Sequence, residues 1–158
     1  MSECTSFVPH IVVSNAARAI DFYKKAFGAT EMARFAAPGT SKIMHASLEI
    51  NGGRLFVSDD FSETMGQEPT TPEALGGSPV TLHLQVENAD TAWKKAVAAG
   101  ANVAMPLENQ FWGERYGQLR DPFGHKWSIS QTVSKPTADE LERGAKASMQ
   151  RAREHVHA

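Results

Sequence analysis

One strand-and-helix pattern occurs twice in this chain, and that repeat limits what the chain can fold into. Phe7-Val8-Pro9-His10-Ile11-Val12-Val13 reads as a strand, and Ser14 to Ala29 as a helix stopped at Gly28. Pro79 to Val86 and Glu87 to Ala101 repeat the pattern, with the second helix stopped at Gly100. His10 and His83 lie 73 residues apart, and the two glycines 72. In the second copy Val80, Leu82, Leu84 and Val86 share one side, and Thr81, His83 and Gln85 the other, the period of a strand with one buried face. Duplicated units that each carry one histidine predict paired modules building one site between them.

The rest of each module follows from turns and alternation. In module one (residues 7–60), Ser14 or Asn15 can cap the helix, and Ala16, Ala19, Ile20, Tyr23 and Phe27 form its packing stripe. A strand follows near residues 31–35, then a Pro38-Gly39 turn. In the next strand Met44, Ala46, Leu48 and Ile50 share one face, and His45, Ser47 and Glu49 the other. Asn51-Gly52-Gly53 signals a hairpin into Arg54–Ser58. Residues 61–78, with Pro69, Pro72, Gly76 and Gly77, read as a linker or mobile loop. Module two (79–131) repeats the order: strand 80–86, helix 89–99, then strands near 102–107, 115–120 and 125–131, the last after the turn Asp121-Pro122-Phe123-Gly124. A C-terminal helix over 136–155 opens on Thr137 and Glu140 at capping-box spacing. Its apolar stripe (Leu141, Ala145, Met149, Ala152) is thin and suits weak docking or a partner chain. The expected fold class is α+β: two βαβββ modules forming a curved mixed-sheet cup with helices on the outside, plus a C-terminal helix, in a single domain of residues 1–158.

A formal net charge of −2 gives no electrostatic case for nucleic acid or an anionic membrane. No apolar run is long enough to span a bilayer, and the N-terminus has no signal-peptide pattern, so a cytoplasmic protein is expected. Cys4 is the only cysteine, which excludes an internal disulfide and cysteine-based zinc motifs; it reads as inert.

Strand parity places His45, Ser47 and Glu49; Thr81, His83 and Gln85; and Lys126, Ser128 and Ser130 on the cup face, with His10 opposite Phe7, Ile11 and Val13. Leu82, Leu84, Trp127 and Ile129 should pack under the helices, with Trp93, Phe22 and Phe27 in the core. Three histidines and Phe56 on a polar face fit a ligand-holding cup better than a solvated surface. Trp112 and Tyr116 offer an aromatic wall for a flat or apolar ligand, or else hairpin packing. Glu114 and Arg115 either rim the cleft or form a turn ion pair; Glu114 and His45 are the candidate catalytic groups. His125 is expected to pair locally in its turn, and His155 and His157 lie in the tail.

The doubled strand–helix–three-strand pattern, one histidine on each module's first strand, and Asp121-Pro122-Phe123-Gly124-His125 before the last strand together resemble the vicinal oxygen chelate superfamily of glyoxalases, bleomycin-resistance proteins and extradiol dioxygenases. Phe111-Trp112-Gly113-Glu114-Arg115-Tyr116-Gly117, followed by Asp121 to Trp127, resembles its PhnB-like branch. The resemblance covers roughly residues 7–131. It implies a divalent ion (Ni, Co, Mn, Zn or Fe) between the modules, with His10 and His83 at the histidine ligand positions. It also implies a homodimer. Where carboxylate ligands are wanted, the chain offers Phe56, with Ser58 two residues on, and Ser128. A glyoxalase-type proton transfer needs a carboxylate base at the metal, so that activity is not expected. Three readings stay open. One is a small-molecule binder with a neutral or weakly anionic ligand held by His10, His45, Phe56, His83, Trp112, Arg115, Tyr116 and Ser128. Another is a metal-dependent lyase, isomerase or dioxygenase using His10 and His83. The last is an accessory domain acting through protein contacts.

Overall fold

A computed structural model describes residues 7–158; Cys4 lies outside the described residues. Twelve elements follow one another: β1 (His10–Val13), α1 (Ala16–Phe27), β2 (Thr30–Ala36), β3 (Ile43–Ile50), β4 (Gly53–Asp59), α2 (Pro72–Leu75), β5 (Thr81–Gln85), α3 (Ala89–Ala99), β6 (Asn102–Asn109), β7 (Glu114–Arg120), β8 (Lys126–Thr132) and α4 (Ala138–Val156). They form two four-stranded mixed sheets, β1-β4-β3-β2 and β5-β8-β7-β6, in an α+β fold with a C-terminal helix. In each sheet the first strand runs parallel to the last strand of its module, and the other pairs are antiparallel.

The repeated helices are set by repeated caps. Asn15 accepts the Arg18 N–H at 3.0 Å and Asn88 accepts the Thr91 N–H at 2.9 Å, each satisfying a free donor of the first turn. Gly28 and Gly100 end the helices at φ 68° and 118°, a left-handed conformation open to glycine at little cost. The helices cover one face of each sheet and pack on each other. Ile11, Val13, Ala46, Leu48 and Val57 lie buried under α1, and Trp127 and Ile129 are buried on the corresponding face of the second sheet. Trp93 of α3 rests directly on Gly117, where a Cβ would come within 2.5 Å of the indole.

Several elements depart from the sequence reading. Ile43, not Met44, enters the core: it is 2% exposed and Met44 47%. A register irregularity lies between Phe35↔His45 and Ala36↔Ile43, which leaves Met44 unpaired and resets the parity there. Phe7 precedes the first ladder and is 95% exposed, so it shares no buried face with Ile11 and Val13. The segment 61–78 contains the short helix α2, capped by Thr71, and the Asp60 carboxylate holds the Ser62 and Thr70 N–H groups.

The modules are joined through a buried carboxylate. Asp121, 2% exposed, accepts from the Tyr23 hydroxyl of α1 at 2.6 Å, from Trp127 Nε1 at 2.9 Å, and from the backbone N–H groups of Phe123 and His125 at 2.9 and 3.0 Å. Burial, followed by the Asp121 charge, pushes the Tyr23 hydroxyl well above its ordinary range, so it stays a donor. Removing that donor strips one charge-assisted bond from a buried anion. Tyr23→Phe is therefore expected to cost about 1–3 kcal/mol in urea unfolding, and Asp121→Ala about 3–5 kcal/mol because four donors lose their partner. A Tyr23→Phe midpoint equal to wild type would contradict this account of the joint.

Candidate functional site

The second sheet's open face carries a continuous hydrogen-bonded chain. Alternation turns Thr81, His83 and Gln85 of β5 away from α3, and the parallel register sets His83 beside Ser128 and Gln85 beside Ser130. His83 Nδ1 lies 2.7 Å from Ser128 Oγ, and its Nε2 lies 3.2 Å from Gln85 Oε1. The Gln85 amide nitrogen donates to Glu114 and to Thr132 Oγ1, both at 3.1 Å. Glu114 also accepts from Ser130 at 2.6 Å and Thr132 at 2.8 Å.

These contacts dictate where the protons sit. The Ser130 hydroxyl, followed by the Gln85 and Thr132 bonds and the neighbouring His83, holds the Glu114 carboxyl below its ordinary range against the opposing cost of desolvation. An ionised carboxylate only accepts, so Gln85 turns its NH2 group toward Glu114 and its oxygen toward His83. That oxygen needs a donor, which places a proton on His83 Nε2. Nδ1 meets the Ser128 hydroxyl. Both ring nitrogens are thereby engaged by neutral partners. Ser128 itself is 1% exposed and is not placed to attack a bound molecule.

The first sheet's open face is aromatic instead. His10 pairs in register with Phe56, and its Nε2 lies 3.1 Å from Ser58 Oγ. His45 sits edge-on to Phe56 at 4.7 Å between centroids, 5.6 Å from Phe35 and 6.3 Å from His10. Burial, and next the facing His45, lower the His10 pKa, so its ring is neutral at pH 7. Phe35, absent from the sequence-derived site set, is 56% exposed beside this cluster. The irregular register of β2 hid its parity.

Most of the sequence-derived residues come together, in two groups. His10, His45 and Phe56 form the first. His83, Ser128, Glu114, Tyr116 and Trp112 form the second: Tyr116 lies near-parallel to the His83 ring at 6.2 Å, and Trp112 is edge-on to Tyr116 at 5.5 Å. A groove of about 530 Å³ along the seam is lined by both His10 and His83, with Val12, Val80 and Thr81 between them. Arg115 is not brought to this face. Its guanidinium grips Asp90 of α3 with two bonds of 2.8 Å, and strand alternation points it away from Glu114. His125 does not pair within its turn either: its Nε2 lies 2.9 Å from the Val12 carbonyl oxygen, across the module seam. Gln85, placed on the cup face by parity, proves to be the link between Glu114 and His83; no sequence spacing announces such a bond.

The donor set can be tested against the divalent ion that the resemblance implies. Ser58 and Ser128 stand beside the two histidines and hydrogen-bond to them. Among the described residues no group of three or more His, Cys, Asp or Glu side chains is placed to hold an ion. Two imidazoles, one with both nitrogens engaged, do not fit a closed N/O coordination sphere.

Comparison with known proteins bears on the same residues. A family model described as the glyoxalase/bleomycin resistance protein/dioxygenase superfamily matches residues 5–129. An uncharacterised protein of Mycobacterium bovis is 48% identical over 134 residues, covering 85% of this chain and 88% of its own. TioX from Micromonospora sp. ML1 superposes with a TM-score of 0.63 at 29% identity, over 82% of this chain and 99% of its own. An Arabidopsis thaliana gene product superposes with a TM-score of 0.62 at 30% identity, over 80% of this chain and 98% of its own. A PhnB protein from Bacillus cereus, at 19% identity and a TM-score of 0.60, shares the fold over 80% of this chain and 99% of its own. With the family model matched across both modules and both histidine strands, the chain belongs to the glyoxalase/bleomycin resistance protein/dioxygenase superfamily.

Proposed function

We propose that this chain binds a small molecule against the open faces of its two sheets, without a metal and without glyoxalase-type isomerisation. The observation that carries the reading is the closed hydrogen-bond chain Ser128–His83–Gln85–Glu114. It occupies both nitrogens of His83. It also engages the Glu114 carboxylate as the anchor of three donors. A carboxylate held below its usual range and already hydrogen-bonded is a weak base, so Glu114 positions Gln85 and His83 and takes no substrate proton.

The two faces suit different parts of one ligand. Phe35, His45 and Phe56 supply an aromatic surface. Tyr116 and Gln118, bonded to each other at 2.9 Å, and Gln85 supply neutral polar groups on the other side. This favours a partly flat molecule with hydrogen-bonding groups at one edge. The first sheet's open face is uncovered in a single chain: Phe35 is 56% exposed. A second copy covering it is the natural partner, and we place the working form as a homodimer.

Chelator-stripped protein is expected to show no thermal shift with Ni, Co, Mn, Zn or Fe(II). An ion at about 100 times its dissociation constant would add roughly 2.7 kcal/mol, a shift of about 2–8 °C for a domain of this size. Such a shift, abolished by His83→Ala, would overturn the metal-free reading and put a metal-dependent lyase, isomerase or dioxygenase in its place.

Glu114 gives a pH signature. Its carboxyl is lowered in the folded chain, so its stabilisation is present above the ordinary carboxylate pKa of about 4.3 and is lost as the pH falls through the lower folded value. Glu114→Gln is expected to cost about 1–3 kcal/mol at pH 7, from bonds to a charged group, and progressively less below pH of about 4. Equal costs at pH 7 and pH 3 in thermal unfolding would contradict the assignment of Glu114 as the ionised anchor.

A further inference from the structure

The C-terminal helix stands apart from the fold it belongs to. It lies beyond the family match, which ends at residue 129. Its root is firmly seated. Val133 and Ser134 N–H donate to the Gly113 carbonyl at 2.8 and 3.1 Å, and Gly144 rests on the Phe111 ring, where a Cβ would come within 2.5 Å. Thr137 and Glu140 close a capping box at its start. Beyond Gly144 the helix continues for another twelve residues, roughly 18 Å, with none of them buried and, among the described residues, no other element packing extensively against it. An isolated stretch of that length is marginal in water unless something covers its apolar stripe.

That stripe has a distinct character. Ala145, Met149 and Arg153, flanked by Lys146 and Gln150, lie together along one exposed side of the helix. Met149 is 58% exposed and Val156 81%. From residue 145 onward the charged groups are Lys146, Arg151 and Arg153 against Glu154 alone. Lys146 is paired with Glu142, but Arg151 and Arg153 have no ion pair among the described residues.

The chain contains a surface of the opposite kind. Between Arg54 and Lys94 there is no lysine or arginine. The segment 60–75 within that stretch carries Asp60, Glu63, Glu68 and Glu73, all on the segment that bridges the modules. It also exposes Met65 and Leu75, at 69% and 67%. A basic arm with an apolar stripe and an acidic segment with exposed apolar side chains are complementary in charge and in hydropathy.

The two are rooted at opposite ends of β7. The acidic segment packs at the Arg120 end of β7, where Pro72 lies against Gly124 in the β7–β8 turn. The arm is rooted at the Glu114 end, against the β6–β7 turn, and the seven residues of β7 separate the two by about 20 Å. We propose that α4 of one copy docks through Ala145, Met149 and its basic flank on the acidic 60–75 segment of a second copy. The contact is made in trans and is separate from any pairing of the open sheet faces.

Two experiments on the full chain test this. In the first, Met149→Cys and Met65→Cys are placed on separate chains, both in a Cys4→Ser background, and the mixture is treated with a short bismaleimide. A covalent heterodimer exceeding the products of either chain alone is expected; equal products in all three samples would overturn the contact. In the second, sedimentation equilibrium follows self-association. Glu63→Lys with Glu68→Lys should weaken it about tenfold, as should Arg151→Glu with Arg153→Glu, and combining all four should restore it. Failure of the four-fold variant to recover overturns the proposal. Association unmoved by any of the reversals would point to the open sheet faces alone and also overturns it. Binding of α4 to phosphatidylcholine vesicles containing phosphatidylserine, lost on Arg151→Glu with Arg153→Glu while self-association is unchanged, would assign the arm to a membrane surface instead.

Discussion

The joint between the two modules depends on the buried carboxylate of Asp121. A charge taken out of water is expensive unless its oxygens are fully hydrogen-bonded. Here four donors meet it: a hydroxyl from the first module's helix, an indole from the second module's last strand, and two backbone groups of its own turn. The first ties α1 to the second sheet. The indole belongs to Trp127, whose neighbour Ser128 faces the opposite way and meets His83. The turn sets His125 on the Val12 carbonyl, one residue from the start of α1's leading loop. One buried anion therefore fixes the relation between modules and the partner of the second histidine.

From that frame the two halves of the site diverge in chemistry although they repeat in form. Both first strands present a histidine to the open face, and both histidines meet a serine. Behind His83 stands a polar chain ending in an ionised carboxylate, which fixes the tautomer of the ring. Around His10 stand Phe56 and His45, with burial keeping the imidazole neutral. A site with one aromatic half and one hydrogen-bonding half can orient a ligand without an ion to organise it.

The repeat, the helix bounds and the sheet faces were legible because they rest on local rules: period-two alternation, asparagine caps and glycine stops. Gly28, Gly100 and the parity of β5 and β8 follow directly from those rules. Met44 did not, because an irregular register moved Ile43 inward, and nothing in the residues around it marks that shift. Adjacency suggests that Glu114 and Arg115 share a cleft rim or pair in a turn; strand alternation instead sends Arg115 to Asp90 and Glu114 to Ser130. The partners of His125 and Gln85 are 113 and 29 residues away, distances that only the assembled sheets bridge. Long-range bonds between polar side chains leave no periodic trace in a sequence, and they are what give this site its character.

The central claim is that both ring nitrogens of His83 are engaged, Nδ1 by Ser128 and Nε2 by Gln85. Long-range 1H–15N correlation of the histidine side chains in the chelator-stripped protein at pH 7 tests it directly. The account predicts a His83 ring protonated on Nε2, with nitrogen shifts unchanged when Zn or Ni is added. A ring protonated on Nδ1, or an Nε2 resonance that moves or broadens with stoichiometric metal while Ser128 loses its bond, would contradict it.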